Sequence, residues 1–280
     1  MNQTFTISPT NQRFSLEPGG HYEGHIEVTN PLDATSDFHY AVSVTGYSVV
    51  GELYDADFAT KTDHTKISEW ITVANPTGSV TPNETKSINF TIDVPADAPA
   101  GGQYAALAVR SDIQPATEGL VVSNVFEIAS VIYADVAGEI IKSGEILDNS
   151  IPQLAFNPPV TLSATFTNSG NVHQDATVKI IAKNVFTGEV IYPKDDDAKS
   201  FTEVIMPDTT RLATRKLDNL PGLGIFHVSQ EITYSGQTSL TEKDLIICPL
   251  WFFILVVVTL AAAVYSIISS IIKHRRRTSL

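Results

Sequence analysis

The chain has a single cysteine, Cys248, so no intrachain disulfide can form and no zinc-type cysteine set exists. An exported β protein of this size must then be held together by its cores, which about 100 residues per domain can supply. Basic residues are also scarce. Four of the 18 Lys and Arg lie in the last eight residues and no Asp or Glu lies beyond Asp244, so residues 1–244 carry 14 basic against 31 acidic side chains, a net charge of −17. That balance excludes a nucleic-acid partner and direct docking of this part on an anionic lipid surface, because both need a positive footprint.

Catalytic signatures are missing as well. There is no Gly-x-Ser-x-Gly, no Gly-rich phosphate loop and no thiol outside the C-terminal apolar run, so no enzyme and no cofactor is expected. His21 and His25 are the one close histidine pair outside the tail, but four strand positions separate them by about 13 Å, too far for one metal. Asp195-Asp196-Asp197 reads as a charged hairpin tip, with weak calcium binding as the alternative. Met1–Thr10 has neither a basic n-region nor an apolar h-region, so the expectation is a mature or trimmed form of an exported chain.

What the sequence does contain begins at its C-terminus. Residues 245–272 hold no Asp, Glu, Lys, Arg or His. Roughly 20 helical residues cross a bilayer core of about 30 Å, so this run predicts a transmembrane helix. Lys273, Arg275, Arg276 and Arg277 follow it and Glu242 and Asp244 precede it, which predicts a cytoplasmic tail over 273–280 and an extracellular N-terminal region. Trp251 sits where an outer interfacial anchor belongs.

The preceding 240 or so residues read as short strands with turn punctuation. Alternation is clear in His25-Ile26-Glu27-Val28, in Lys86 to Val94 and in Thr161 to Phe166. The same marks recur in two halves. Val28-Thr29-Asn30, Val80-Thr81-Pro82-Asn83 and Gly102-Gln103-Tyr104 in the first match Phe166-Thr167-Asn168, Ile205-Met206-Pro207-Asp208 and Gly224-Ile225-Phe226 in the second. Asn30 to Pro82 is 52 positions against 39 for Asn168 to Pro207, so the first half carries extra sequence, placed around Tyr47–Trp70.

The predicted fold class is all-β: two tandem immunoglobulin-like β-sandwiches over 1–138 and 139–236, a polar stalk over 237–244, and one C-terminal transmembrane helix over 245–272. Tyr104 resembles a tyrosine corner, in which the phenol bonds back to nearby backbone. Trp70 is expected to bridge two sheets in the core. The extra segment, with Tyr47, Glu52, Tyr54, Asp55, Asp57 and Phe58, is the candidate binding surface, since loops on a rigid scaffold carry function.

Trp70-Ile71, Pro82-Asn83-Glu84-Thr85-Lys86 and Phe90 through Tyr104 together resemble the N-terminal immunoglobulin-like domain of the WxL-interacting surface proteins of Gram-positive bacteria. Phe166 to His173 and Phe186 to Val190 are similar to their membrane-proximal domain. The resemblance implies a non-catalytic bacterial cell-surface scaffold, with peptidoglycan as partner of the first domain and a surface protein as partner of the second. No Leu-Pro-x-Thr-Gly precedes the helix, so the chain is expected to stay in the membrane. The alternative expectation is a chaperone-like accessory for surface-appendage or pilin assembly that works through an exposed edge strand.

Overall fold

The computed structural model describes residues 5–111, 126–194 and 200–277, with side chains described as far as Ser269. Asp195, Asp196 and Asp197 lie outside the described residues. The protein is mostly β, with one long apolar helix at its C-terminal end. The chain divides into two compact units. The first comprises Met1–Gly144 with Thr167–Gln174 and Ile205–Arg211, and the second comprises Glu145–Phe166, Asp175–Val204 and Leu212–Leu280.

In the first unit two sheets face each other. One holds, in order, β1 (Thr6–Ser8), β3 (His21–Thr29), β9 (Thr85–Asp93) and β7 (Ile71–Val73). The other holds β2 (Asn11–Leu16), β11 (Glu127–Val136), β10 (Gly101–Ser111), β4 (Phe38–Gly46) and β8 (Thr77–Val80). The N-terminal segment changes sheets, with β1 antiparallel to β3 and β2 parallel to β11.

Period-2 alternation puts Ile26, Val28, Ile88, Phe90 and Ile92 of one sheet against Tyr40, Leu107, Ile132 and Ala134 of the other, all buried. Each large apolar side chain so buried contributes about 1.5–3 kcal/mol relative to exposure. The extra sequence forms a hairpin of β5 (Ser48–Val50) and β6 (Asp55–Asp57), followed by a short 3₁₀ turn at Lys66–Glu69. Trp70 ends that turn half-buried against the core, and Ile67 is the fully buried residue there.

The repeated marks correspond to repeated hydrogen bonds. Buried Asn30 donates its side-chain amide to the carbonyls of Ser36 and Val80, both at 3.0 Å. Buried Asn168 donates likewise to Val172 and Ile205, both at 2.9 Å. The residue after each repeated proline, Asn83 or Asp208, has a left-handed backbone (φ 64° and 55°), a conformation that Asn and Asp tolerate. In each Gly-x-aromatic mark the glycine leaves room for the ring two residues on. A Cβ at Gly102 would stand 2.0 Å from the Tyr104 oxygen, and one at Gly224 2.9 Å from the Phe226 ring.

The remaining strands form two further sheets. The smaller holds β12 (Gly144–Ser150), β14 (Val160–Asn168) and β18 (Thr209–Leu217). The larger runs β13 (Leu154–Ala155), β20 (Gln237–Ile247), β19 (Gly224–Tyr234), β15 (Gln174–Asn184) and β16 (Val190–Tyr192), with β17 (Ser200–Ile205) also on β15. The polar stalk expected over 237–244 is instead strand β20, paired with β19 along its whole length through a Ser235-Gly236 turn with φ of 48° and 75°. Its polarity comes from the exposed side of a half-buried strand. Only Cys248 and Pro249 then separate β20 from α1 (Leu250–Arg277). Leu250–Ser269 has a mean hydropathy of 2.5 and is unburied, long and apolar enough to cross a membrane by length and composition.

Candidate binding site

Two features of the first unit offer themselves to a ligand. The first is a half-open pocket of about 410 Å³. Its walls come from Tyr47 to Val50, from the segment Asp57–His64, from Tyr104, and from the turn Met206–Thr209, which belongs to the same unit.

Three carboxylates and one imidazole line this pocket. Asp57 accepts backbone N–H bonds from Ala59 (2.8 Å) and Thr60 (3.2 Å). The Thr60 hydroxyl first, and then these two N–H groups, hold its carboxyl below the usual carboxylate range. Asp63 is held below that range by Lys66, 2.8 Å away. His64 places Nδ1 2.8 Å from the Gly102 carbonyl oxygen and Nε2 3.8 Å from the Asp208 carboxylate.

An aromatic cluster backs the pocket. Tyr47, Tyr104 and Tyr133 pack ring to ring, with centroids 5.8–6.3 Å apart for the Tyr104–Tyr133 and Tyr47–Tyr133 pairs. The Tyr104 hydroxyl accepts the backbone N–H of His173 at 2.8 Å. This is not the short-range bond of a tyrosine corner, because its partner lies 69 residues further along. Burial pushes the phenols of Tyr104 and Tyr133 well above their ordinary pKa.

Of the six residues expected to bind, Tyr47 and Asp57 line the pocket. Phe58 packs on Tyr47 at 5.9 Å and stays half exposed. The Tyr54 hydroxyl is engaged by the Met206 N–H (3.0 Å) and the Thr209 hydroxyl, and the Arg211 guanidinium lies 4.6 Å from its ring centre. Tyr54 thus has a packing role, and burial raises its pKa. Glu52 and Asp55 are exposed and outside the pocket wall. Asp63, His64 and Asp208 were not anticipated. No periodicity links residues so far apart, although Asp208 was marked as part of the repeated turn.

Trp251 is exposed on the first turn of α1. Lys273, Arg275, Arg276 and Arg277 lie in the final turns of that helix, beyond the described side chains.

The second feature is the outer edge of β11. Its inner edge pairs with β10 from Glu127 to Val136, but β2 covers its outer edge only from Val131 to Val136. The Val131 N–H donates outward to the Thr10 carbonyl at 3.0 Å. Backbone direction alternates along a strand, so the Ala129 N–H and C=O point the same way, with no strand beside them among the described residues. The core-facing file here reads Phe126, Ile128, Ser130, Ile132, Ala134 and Val136. The last four are buried, whereas Phe126 and Ile128 are only half covered. Among the described residues the sandwich is therefore open at this corner, and the exposed gap is apolar.

Solved structures to which the chain is similar include the class 5 fimbriae chaperone CfaA (15% identity, TM-score 0.43, covering 86% of this chain and 99% of that one). They also include the E. coli chaperone DraB (12%, 0.41, 86% and 97%) and a chain from the Salmonella enterica SafA pilin–SafB chaperone complex (11%, 0.43, 88% and 97%). No family model and no curated protein matches the sequence.

Proposed function

We infer that this chain is a non-catalytic, membrane-tethered protein-binding module that holds an extended segment of a partner surface protein against the open half of β11. One observation carries this reading: β2 begins opposite Val131, so among the described residues no strand pairs with the outward backbone groups of Ala129, which lie beside a half-covered apolar file. An incoming strand would satisfy those groups and place its own alternate side chains over Phe126 and Ile128, which is strand addition to a sheet edge. In this reading α1 crosses the membrane with the basic tail inside, and the binding module stands outside.

The test is in-cell photocrosslinking from position 128 in the full chain, with adducts identified by mass spectrometry. A discrete protein adduct that disappears in Ala129→Pro and persists in Ala129→Val supports the reading. Proline removes the outward N–H without touching a bond to β10. Adducts indifferent to Ala129→Pro would contradict it.

The pocket supports a second reading, the surface scaffold that the resemblance to WxL-interacting proteins implies. Asp57, Asp63 and Asp208 beside Tyr47 and Tyr104 suit a cationic side chain of a partner protein, by charge and by the ring faces. Capture of a partner that is weakened tenfold by Asp208→Asn and unaffected by Ala129→Pro would favour it. Sacculus binding is the corresponding test for peptidoglycan, a partner for which the described residues present no distinguishing feature.

A further inference from the structure

In the second unit six exposed apolar side chains gather at one end of the larger sheet, while Leu240 is exposed singly toward its other end. Leu154 is in register with Ile246 of β20, and Ile246 with Ile225 of β19. Phe156 follows β13 directly, Leu223 directly precedes β19, and Val185 donates its N–H to the Ile225 carbonyl at 3.0 Å. Register and chain continuity thus bring Leu154, Phe156, Val185, Phe186, Leu223 and Ile246 onto one rim. All six are exposed, Phe186 by 78%. At the opposite end of the same strands the Ser235-Gly236 turn and its neighbours Gln237 and Thr238 are polar. A soluble protein has little reason to crowd apolar side chains at one end of a sheet, and such a patch marks a contact surface.

Chain continuity names the occupant. Cys248 and Pro249 alone connect β20 to α1, and two extended residues reach about 7 Å. The headgroup layer on each side of a bilayer is roughly 5–8 Å deep, from a total of about 40–45 Å against a core of about 30 Å. The uncharged helical residues Leu250–Ile272 rise about 34 Å, only a few Å more than the core they would cross. A linker this short keeps the rim at or beside the headgroup layer if α1 spans.

We propose that this rim is a second membrane-contact surface, at which Phe186, Leu223 and their neighbours sit in the headgroup layer of a phospholipid bilayer and hold the second unit against the membrane. The proposal rests on the reading of α1 as a span. Amphipathic and aromatic side chains at this depth gain burial of their apolar parts while nearby polar groups such as Glu189 and Asp244 stay hydrated. The second unit would then be a docked foot, with its orientation set by six side chains as well as by the helix.

The experiment uses the full chain, with Cys248→Ala, in phosphatidylcholine nanodiscs that carry spin-labelled lipid. An environment-sensitive fluorophore is placed in turn at Phe186→Cys, Leu223→Cys, Thr238→Cys and Val257→Cys. The expected result is headgroup-label quenching at 186 and 223 at least threefold stronger than at 238, with 257 quenched by chain-labelled lipid. If 257 is quenched and 186 and 223 are not distinguished from 238, α1 spans and the docking proposal fails. If 257 is also unquenched, both readings fail. Melting curves of each labelled variant, compared with the parent, confirm that the fold is intact.

Discussion

β11 and β20 close the two halves in the same way and differ in what they leave open. Each pairs antiparallel with the preceding strand on one side and takes a short parallel partner at its C-terminal end, six residues of β2 for β11 and two residues of β13 for β20. Among the described residues the longer uncovered edge is therefore on β20. Its stretch 238–244 reads Thr-Ser-Leu-Thr-Glu-Lys-Asp, and its half-covered file is Ser239, Thr241 and Lys243. On β11 the corresponding file is Phe126 and Ile128. An exposed edge invites strand addition only where the incoming strand also buries apolar surface, and charges on an edge discourage it. The length of free backbone is thus a poor guide, and the side chains beside it decide which edge binds.

The largest effect expected from breaking this contrast is on partner capture. Ala129→Pro should abolish the crosslink from position 128, at least tenfold, whereas Leu240→Pro on β20 should leave it unchanged. Stability comparisons come next. Asn168→Ala should cost about 3 kcal/mol and Asn30→Ala about 2 kcal/mol in chemical denaturation. Both donate to two carbonyls, but only Asn168 also accepts through Oδ1, from Gly170 N–H and the Gln174 amide, each at 2.9 Å. The Asn30 Oδ1 is buried without a partner among the described residues. Equal costs would contradict that account. Smaller again is Tyr104→Phe, which copies the second half's Phe226 and should cost about 1–2 kcal/mol by orphaning the His173 N–H.

The last contrast concerns pH. Tyr54, Tyr104 and Tyr133 all have raised pKa values in the fold, chiefly through burial. The neutral phenols favour the native state below the unfolded value of about 10, and that contribution is lost as the pH rises beyond it. The denaturation midpoint should therefore fall between pH 9 and 11, and by less in Tyr133→Phe.

The strand alternation, the repeated turns and the apolar helix were legible because each is written in neighbouring residues. Asn30 and Asn168 could be picked out as paired marks before their shared bonding was visible. The misread stalk shows the limit. Residues 237–244 are polar because one side of β20 faces water, and the Ser235-Gly236 turn that pairs β20 with β19 is a signal that polarity masked. The pocket was half legible, through Tyr47 and Asp57. His64 and Asp208 meet across 144 positions by the return of a turn that no local pattern announces. The opening beside Ala129 was not legible at all, since it depends on where β2 begins and not on β11 itself.

The most direct test of that opening is amide hydrogen exchange on the full chain in nanodiscs, comparing Ala129 with Val131. Both N–H groups point outward from one strand, and among the described residues only Val131 donates, to Thr10. The Ala129 amide should exchange at least about tenfold faster, a difference of about 1.4 kcal/mol in protection, and slow when a partner strand is bound. Equal protection of the two amides in the unbound chain would show the edge already covered and would contradict the proposed function.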